Sequence, residues 1–303
     1  MTFAPIDNLH GTRATKHWRS RSGPATLRAM DPATRNRLVS IGHAELYVEE
    51  HGSGEPLLLV AGLGGSGKFW QAQIADFSRH FRVILHDHRG VGRSGPGPIV
   101  TGARDLADDL LLLMDALGIE SAHLLGHSTG GAVGQHIALT NPGRLRSLTL
   151  SASWAGPTPL FIQTFATRRD VLIHAGVLNY LMVGTLLAAP AHWLQPRFDS
   201  AAAYFKVRLA EFPGLEIELG RLNAVMTHDL RHCVSDIRTR TLVIGARDDQ
   251  LTPPGMSEEL AALIPGSQLA LLDAGGHFCP ATNTDAYNSL VLAFLRETAW
   301  ATP

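Results

Sequence analysis

The stretch Leu124-Leu125-Gly126-His127-Ser128-Thr129-Gly130-Gly131 contains the residue types that a serine nucleophile needs. Gly126-x-Ser128-x-Gly130 fits the sharp strand-to-helix turn that lifts a serine hydroxyl clear of the backbone. Such a turn strains its central residue, and the residues two positions away must be small because they crowd one another. A helix starting just after the serine offers free N–H groups and positive potential to a developing oxyanion. The hydroxyl alone attacks a carbonyl poorly. It needs a base, and the base needs an orienting acid. Two stretches near the C-terminus supply these types: Arg247-Asp248-Asp249-Gln250-Leu251-Thr252-Pro253 and Asp273-Ala274-Gly275-Gly276-His277-Phe278. The chain has 15 histidines, but only His277 follows a C-terminal strand in a Gly-rich turn. Serine, acid and histidine in that chain order form one of the orders in which such triads occur. His127, beside the serine, is expected to point away from the chemistry in a structural role.

A second glycine-rich loop, Gly62-Leu63-Gly64-Gly65-Ser66-Gly67, follows the apolar run Leu57–Ala61. A phosphate loop would need a hydroxyl residue after its lysine, and Lys68 is followed by Phe69. The loop reads instead as an oxyanion loop with the Leu63 N–H as donor. A third loop, Asp87-His88-Arg89-Gly90-Val91-Gly92-Arg93-Ser94, follows the strand Arg82–His86. His86 and His88 flank Asp87 without a second ligand cluster, so neither a metal site nor a cofactor is expected.

These loops need strand ends to hold them on one edge of a sheet. Strands are expected at Leu38–Ile41, Glu45–Glu50, Leu57–Ala61, Arg82–His86, Ala122–Leu125, Leu145–Leu150, Thr241–Gly245 and Gln268–Leu272, alternating from the third onward with helices. The alternation breaks between 157 and 236, where Phe161–His174, Val177–Leu187, Ser200–Phe212 and Leu215–Met226 show helical patterning. That span is too long for a loop. The expected fold class is α/β, a mostly parallel doubly wound sheet with an inserted helical cap. Residues 38–156 and 237–303 would form the core and 157–236 the cap. Residues 1–37 are rich in arginine and poor in apolar periodicity, and read as a flexible basic arm.

The chain has 303 residues, a formal net charge of −1 and two cysteines, Cys233 and Cys279. Near-neutral charge gives no pointer to nucleic acid or an anionic membrane, and two cysteines make no disulfide framework. A reducing cytoplasm is the expected compartment. The apolar stretches read as broken by Gly, Pro or charge before they span a bilayer.

Taken together, Ala61-Gly62-Leu63-Gly64-Gly65, Asp87-x-Arg89-Gly90-x-Gly92-x-Ser94, Gly126-His127-Ser128-Thr129-Gly130-Gly131, Asp249-x-x-x-Pro253 and Gly275-Gly276-His277 resemble the α/β-hydrolase superfamily over roughly residues 38–300. Gly62–Ser66, Phe69-Trp70 and Pro190-Ala191-His192-Trp193 resemble the enol-lactone hydrolases and the aminoacrylate or carbamate hydrolases of pyrimidine breakdown. The resemblance implies that Ser128 is the nucleophile, His277 the base and Asp249, rather than Asp248, the acid. It also implies Leu63 and Thr129 as oxyanion donors. Ala61 departs from the pattern, since many relatives carry His before the glycine.

The function implied is cofactor-free hydrolysis of a small ester, lactone, amide or carbamate through an acyl-enzyme. A carboxylate stands at the nucleophile position in haloalkane dehalogenases and epoxide hydrolases, so Ser128 disfavours both. A receptor-like protein with little turnover, a C–C hydrolase and a perhydrolase remain alternatives on the same triad. The pocket is expected between sheet edge and cap, with Trp154, Trp70 and Phe278 as candidate lining residues and Arg168, Arg169 and His192 as candidate polar contacts. The expected partner is a small-molecule substrate, with neither nucleic acid nor membrane, and a homodimer is left open.

Overall fold

The computed structural model describes residues 35–297. Strands β1 (Arg35–Ser40), β2 (Glu45–His51) and β3 (Pro56–Val60) lead to helix α1 (Gln71–Phe77), followed by β4 (Arg82–His86), α2 (Ala103–Ala116), β5 (Ala122–His127), α3 (Thr129–Thr140) and β6 (Leu145–Ser151). Four helices come next: α4 (Pro159–Ala188), α5 (Ala191–Leu194), α6 (Ala201–Ala210) and α7 (Leu215–Thr227). The chain then returns through β7 (Thr241–Ala246), α8 (Pro254–Leu263), β8 (Gln268–Leu272), α9 (Cys279–Thr282) and α10 (Thr284–Arg296).

The eight strands form one sheet in the order β1-β2-β4-β3-β5-β6-β7-β8. From β4 to β8 all neighbours are parallel, while β2 runs antiparallel to both β1 and β4. The central strands are apolar throughout because helices cover both faces. In β3, Leu58 and Val60 face one apolar core, shared with Leu110 and Leu113 of α2 and Val133 and Ile137 of α3. Leu57 and Leu59 face the other, shared with Phe77 of α1 and Tyr287, Val291 and Phe294 of α10. The chain moves outward from β3 to β4 and then crosses back to β5 on the other side of β3. This reversal opens a crevice at the carboxyl ends of β3 and β5, where ligands bind in open sheets of this type.

Two boundaries differ from the sequence expectation. Arg35, Asn36 and Arg37, grouped by composition with the N-terminal arm, belong to β1: Arg35 is opposite Glu50, and Arg37 pairs with Glu50 at 2.7 Å. Cross-strand charge, invisible to apolar patterning, extends that strand. The rest of the arm, residues 1–34, lies outside the described residues.

Helix α4 is the second difference. By length and composition it would suffice to cross a membrane, which the expectation of broken apolar stretches did not allow. Gly176, with φ +83° and ψ 171°, interrupts it. Arg168 approaches Gly184, where a Cβ would lie 2.8 Å from its guanidinium. Those residues would be about 24 Å apart along a straight helix. The two arms therefore fold back on each other, and neither reaches the roughly 20 residues a span needs. The arms pack with α6 and α7 over a third apolar core that includes Phe161, Phe165, Tyr180, Phe205 and Leu222.

Candidate active site

Ser128 occupies the turn between β5 and α3 with φ +55° and ψ −116°. A non-glycine residue in such a conformation costs on the order of 1–3 kcal/mol and persists only where its surroundings hold it. Here the Ser128 N–H donates to the Ser151 carbonyl at 2.7 Å, and the Ser153 hydroxyl donates to the Ser128 carbonyl at 3.0 Å. The flanking glycines are sterically required. A Cβ on Gly126 would lie 2.1 Å from the Gly130 carbonyl oxygen, and one on Gly130 would lie 2.2 Å from that of Val60.

His277 and Asp249 reach the same edge from the loops after β8 and β7. The imidazole Nδ1 lies 2.9 Å from Asp249 Oδ2. Both residues are buried. The rest of the Asp249 carboxylate is satisfied by the Leu251 N–H at 2.8 Å, the Thr252 N–H at 3.0 Å and the Thr252 hydroxyl at 2.7 Å. An acid so fixed orients the ring with Nδ1 toward it and frees Nε2 for other chemistry. Asp248 does a different job: it accepts the Gly276 N–H at 2.7 Å and so ties down the loop that carries His277. Ser128 and His277 line one cavity of about 460 Å³. No hydrogen bond joins the hydroxyl to the ring, a contact that commonly tightens when substrate binds.

The loop after β3, the expected oxyanion loop, lies alongside, with the Gly62 backbone against Ser128: a Cβ there would stand 3.0 Å from that of the serine. Neither the Leu63 N–H nor the Thr129 N–H donates to another protein group among the described residues, so both remain free as donors. The loop is held from two sides. Asp87 accepts the Gly67 N–H at 2.8 Å, the Ser66 hydroxyl at 3.1 Å and the Arg93 guanidinium at 2.8 Å. Burial pushes the Asp87 carboxyl up, but the hydrogen bonds from Arg93 and Gly67 outweigh it and hold the pKa below the ordinary value. From the other side, Arg221 of α7 donates to the Leu63 carbonyl at 2.8 Å and the Gly62 carbonyl at 3.3 Å, and lies 3.1 Å from His88 Nδ1.

Phe278 lines the cavity. Trp70 and Trp154, expected beside it, do not. Trp70 is buried edge-on against Phe69 and His127, which themselves face the cavity. Trp154 packs with Phe161 and His228, within the apolar core shared with α4 and α7. Both indoles are completely covered by protein, where so large an apolar surface gains most from burial. His127 also departs from expectation. Its ring does not point away but lies 4.8 Å from that of His277 and stacks on Phe69 at 4.6 Å. Burial, and then the neighbouring His277, hold its pKa well below that of an ordinary histidine, so it is neutral at pH 7.

Several lining residues escaped the sequence reading: Phe69, Phe165, Tyr180, Leu181, Glu218 and Leu251. Of the candidate polar contacts, only Arg168 lines the cavity; His192 does not, although its neighbour Trp193 does, and Arg169 is exposed and pairs with Asp170. One signal was available. Phe161, Phe165, Arg168 and Leu172, all buried, recur at the spacing of a single helix face.

A serine on a strained strand-to-helix turn, an acid-held histidine from later loops and a largely parallel eight-stranded sheet are the architecture of an α/β-hydrolase. The chain belongs to the family described as "alpha/beta hydrolase fold", which matches residues 55–284, and it is a hydrolase. A protein of Azorhizobium caulinodans with the provisional name carbamate hydrolase RutD is 36% identical over 256 residues, covering 84% of this chain and 97% of that one. Among solved structures, a hydrolase from Pseudomonas aeruginosa PA01 is 31% identical with a TM-score of 0.77, covering 88% of this chain and 99% of the other. The enol-lactonase from Burkholderia xenovorans LB400 is 26% identical, also with a TM-score of 0.77, covering 86% of this chain and 99% of that one.

Proposed function

We propose that this hydrolase cleaves a small ester, lactone, amide or carbamate through an acyl-enzyme on Ser128. The observation that carries the reading is the 2.9 Å contact between His277 Nδ1 and the buried Asp249, in the cavity that also holds Ser128. Ser128 Oγ attacks the substrate carbonyl carbon while His277 Nε2 takes its proton. Asp249 keeps the ring in the productive tautomer and stabilises the imidazolium. The N–H groups of Leu63 and Thr129 receive the oxyanion, where losing one donor typically costs about 3 kcal/mol of transition-state stabilisation. The tetrahedral adduct collapses, the bond to the leaving group breaks, and His277 returns the proton to that group. Water then repeats the sequence on the acyl-enzyme. The name of the Azorhizobium relative favours a carbamate and that of the Burkholderia structure a lactone. Both substrates contain the carbonyl this chemistry needs.

The test is the intact mass of the protein after incubation with a fluorophosphonate, for wild type and Ser128→Ala. One adduct on wild type and none on the variant is the expected result. Labelling that survives the substitution, or a wild type that neither labels nor hydrolyses a small acetyl ester, would sink the proposal.

A further inference from the structure

Arg168 is out of place by every rule of the helix that carries it. It occupies the buried stripe of the first arm of α4, where its neighbours are Phe161, Phe165 and Leu172. It is only 8% exposed. Its guanidinium carbon lies 5.1 Å from the Phe165 ring centre and 5.0 Å from that of Tyr180. The fold at Gly176 brings the second arm against it, and Gly184 leaves the space its terminal nitrogen fills. Two aromatic rings and a glycine thus form a slot for one guanidinium. Aromatic faces attract a cation but do not neutralise it.

Arg168 makes no ion pair among the described residues, and its Nε is buried without a hydrogen-bond partner. The deep cap holds two buried guanidiniums, Arg168 and Arg221, and one buried carboxylate, Glu218. Glu218 accepts the Tyr180 hydroxyl and stands one turn before Arg221 on α7. At the outer cap, Lys68 pairs with Glu211 at 2.5 Å, and Arg208 donates to the Tyr204 hydroxyl at 2.9 Å. Neither guanidinium forms an ion pair with Glu218 among the described residues, and the deep cap carries one positive charge more than negative. An unpaired buried cation is destabilising, and Arg168 lines the cavity that holds Ser128 and His277.

The geometry points to Arg168 as the anchor for a carboxylate on the substrate. The preferred substrate is then a small acyl compound carrying one free carboxylate besides the bond to be cleaved. A guanidinium offers a planar fork that matches a carboxylate in two parallel hydrogen bonds. One uncompensated charge fits a monoanion, and about 460 Å³ limits the substrate to small molecules. This assignment rests on the hydrolase reading above, which supplies the second end of the substrate.

The test compares the mono-p-nitrophenyl ester of succinic acid with p-nitrophenyl 4-methylpentanoate, in which an isopropyl group replaces the carboxylate. Wild type should favour the anionic ester in kcat/KM by about tenfold or more, the size of a charge-assisted hydrogen-bond pair. Arg168→Met should abolish that ratio, chiefly through KM, and Arg168→Lys should restore part of it. Arg169→Met, at the exposed neighbour, should leave the ratio unchanged. Because the buried charge is unpaired, Arg168→Met should melt no lower than wild type, whereas loss of a structural arginine would lower Tm. A ratio near one in wild type, an equal fall for both esters in Arg168→Met, or a clear drop in its Tm would overturn the proposal.

A readout without turnover separates the two readings. Succinamate should raise the Tm of Ser128→Ala but not of Ser128→Ala/Arg168→Met, and neutral 4-methylpentanamide should not distinguish them. If wild type cleaves neither ester yet the arginine-dependent shift remains, the hydrolase reading falls and the carboxylate anchor stands. If the esters are cleaved at equal rates and no shift appears, the anchor falls and the hydrolase reading stands.

Discussion

Asp248 and Asp249 are neighbours in sequence with different partners in space. Asp249 Oδ2 faces His277 Nδ1, whereas Asp248 Oδ1 holds the Gly276 N–H. Asp249→Asn should therefore lower kcat by about three to four orders of magnitude, because the amide can present its N–H to the ring and stabilise the wrong tautomer. Asp248→Asn keeps an acceptor for Gly276 and should stay within about threefold of wild type. Steady-state kinetics on one activated ester tests both, and equal losses would mean that the two roles are misassigned. The serine and the histidine were legible because each lies in a pattern with a mechanical reason, a crowded glycine turn and a glycine-rich loop past a strand. The choice between the aspartates came from resemblance, since nothing in their spacing says which carboxylate turns inward. Trp70 and Trp154 misled for a related reason: a sequence marks a large aromatic residue as buried without saying whether a ligand or the core covers it.

Helix α7 contributes to the site through a residue with no sequence signature. Arg221 grips the carbonyls of Gly62 and Leu63 from across the cavity roof, and its partner Leu63 is 158 positions away in the chain. The Gly62 carbonyl belongs to the same peptide as the Leu63 N–H, the proposed oxyanion donor, so Arg221 helps to fix that peptide's plane. Arg221→Met would leave two carbonyl groups and His88 Nδ1 without that donor. It should reduce kcat by about ten- to a hundredfold, the scale of an ångström of misplacement. KM should change much less, because the substrate's remote contacts survive. A loss confined to KM would place Arg221 in binding instead. Among the elements themselves, strands were legible where both faces are buried, as in Leu57–Val60 and Arg82–His86. The start of β1 was not, because its outer half is charged and held by pairing with Glu50. The two arms of α4 were legible as separate helices, but their antiparallel folding was not, since a glycine marks a break without giving its angle. The cap's lining was hidden for the same reason: an apolar helix shows a cavity wall and a packed face in the same letters.

Over the whole molecule, the buried histidines set how stability responds to acid. Burial lowers the pKa of six of them: His86, to about 4; His228, to about 3; and His88, His123, His127 and His136. The unfolded chain takes up protons at these sites from about pH 6.5 downward, while the folded protein does not until lower pH. Because the folded pKa lies below the unfolded one, the unfolded state binds more protons throughout that window and stability falls as pH falls. Each fully neutral buried histidine contributes a slope of up to about 1.4 kcal/mol per pH unit. Glu49, lowered to about 2 by its hydrogen bond to His51 and by Arg93, acts in the same direction only below about pH 4.5. Asp109, raised by burial, acts in the opposite direction near its ordinary range, and one carboxylate does not offset six imidazoles. The Tm should therefore begin to decline near pH 6.5, before ordinary carboxylates titrate, and fall steeply toward pH 4. The inactive Ser128→Ala protein should follow the same curve, since none of these groups depends on turnover. Calorimetric or fluorescence melting across that range decides the matter. A Tm that stays flat between pH 7 and pH 5 would mean that these rings are not held neutral in the folded protein. Replacing His228, which is packed between Trp154 and His136, with Gln should make the decline shallower without moving its onset, because one proton fewer then separates the two states.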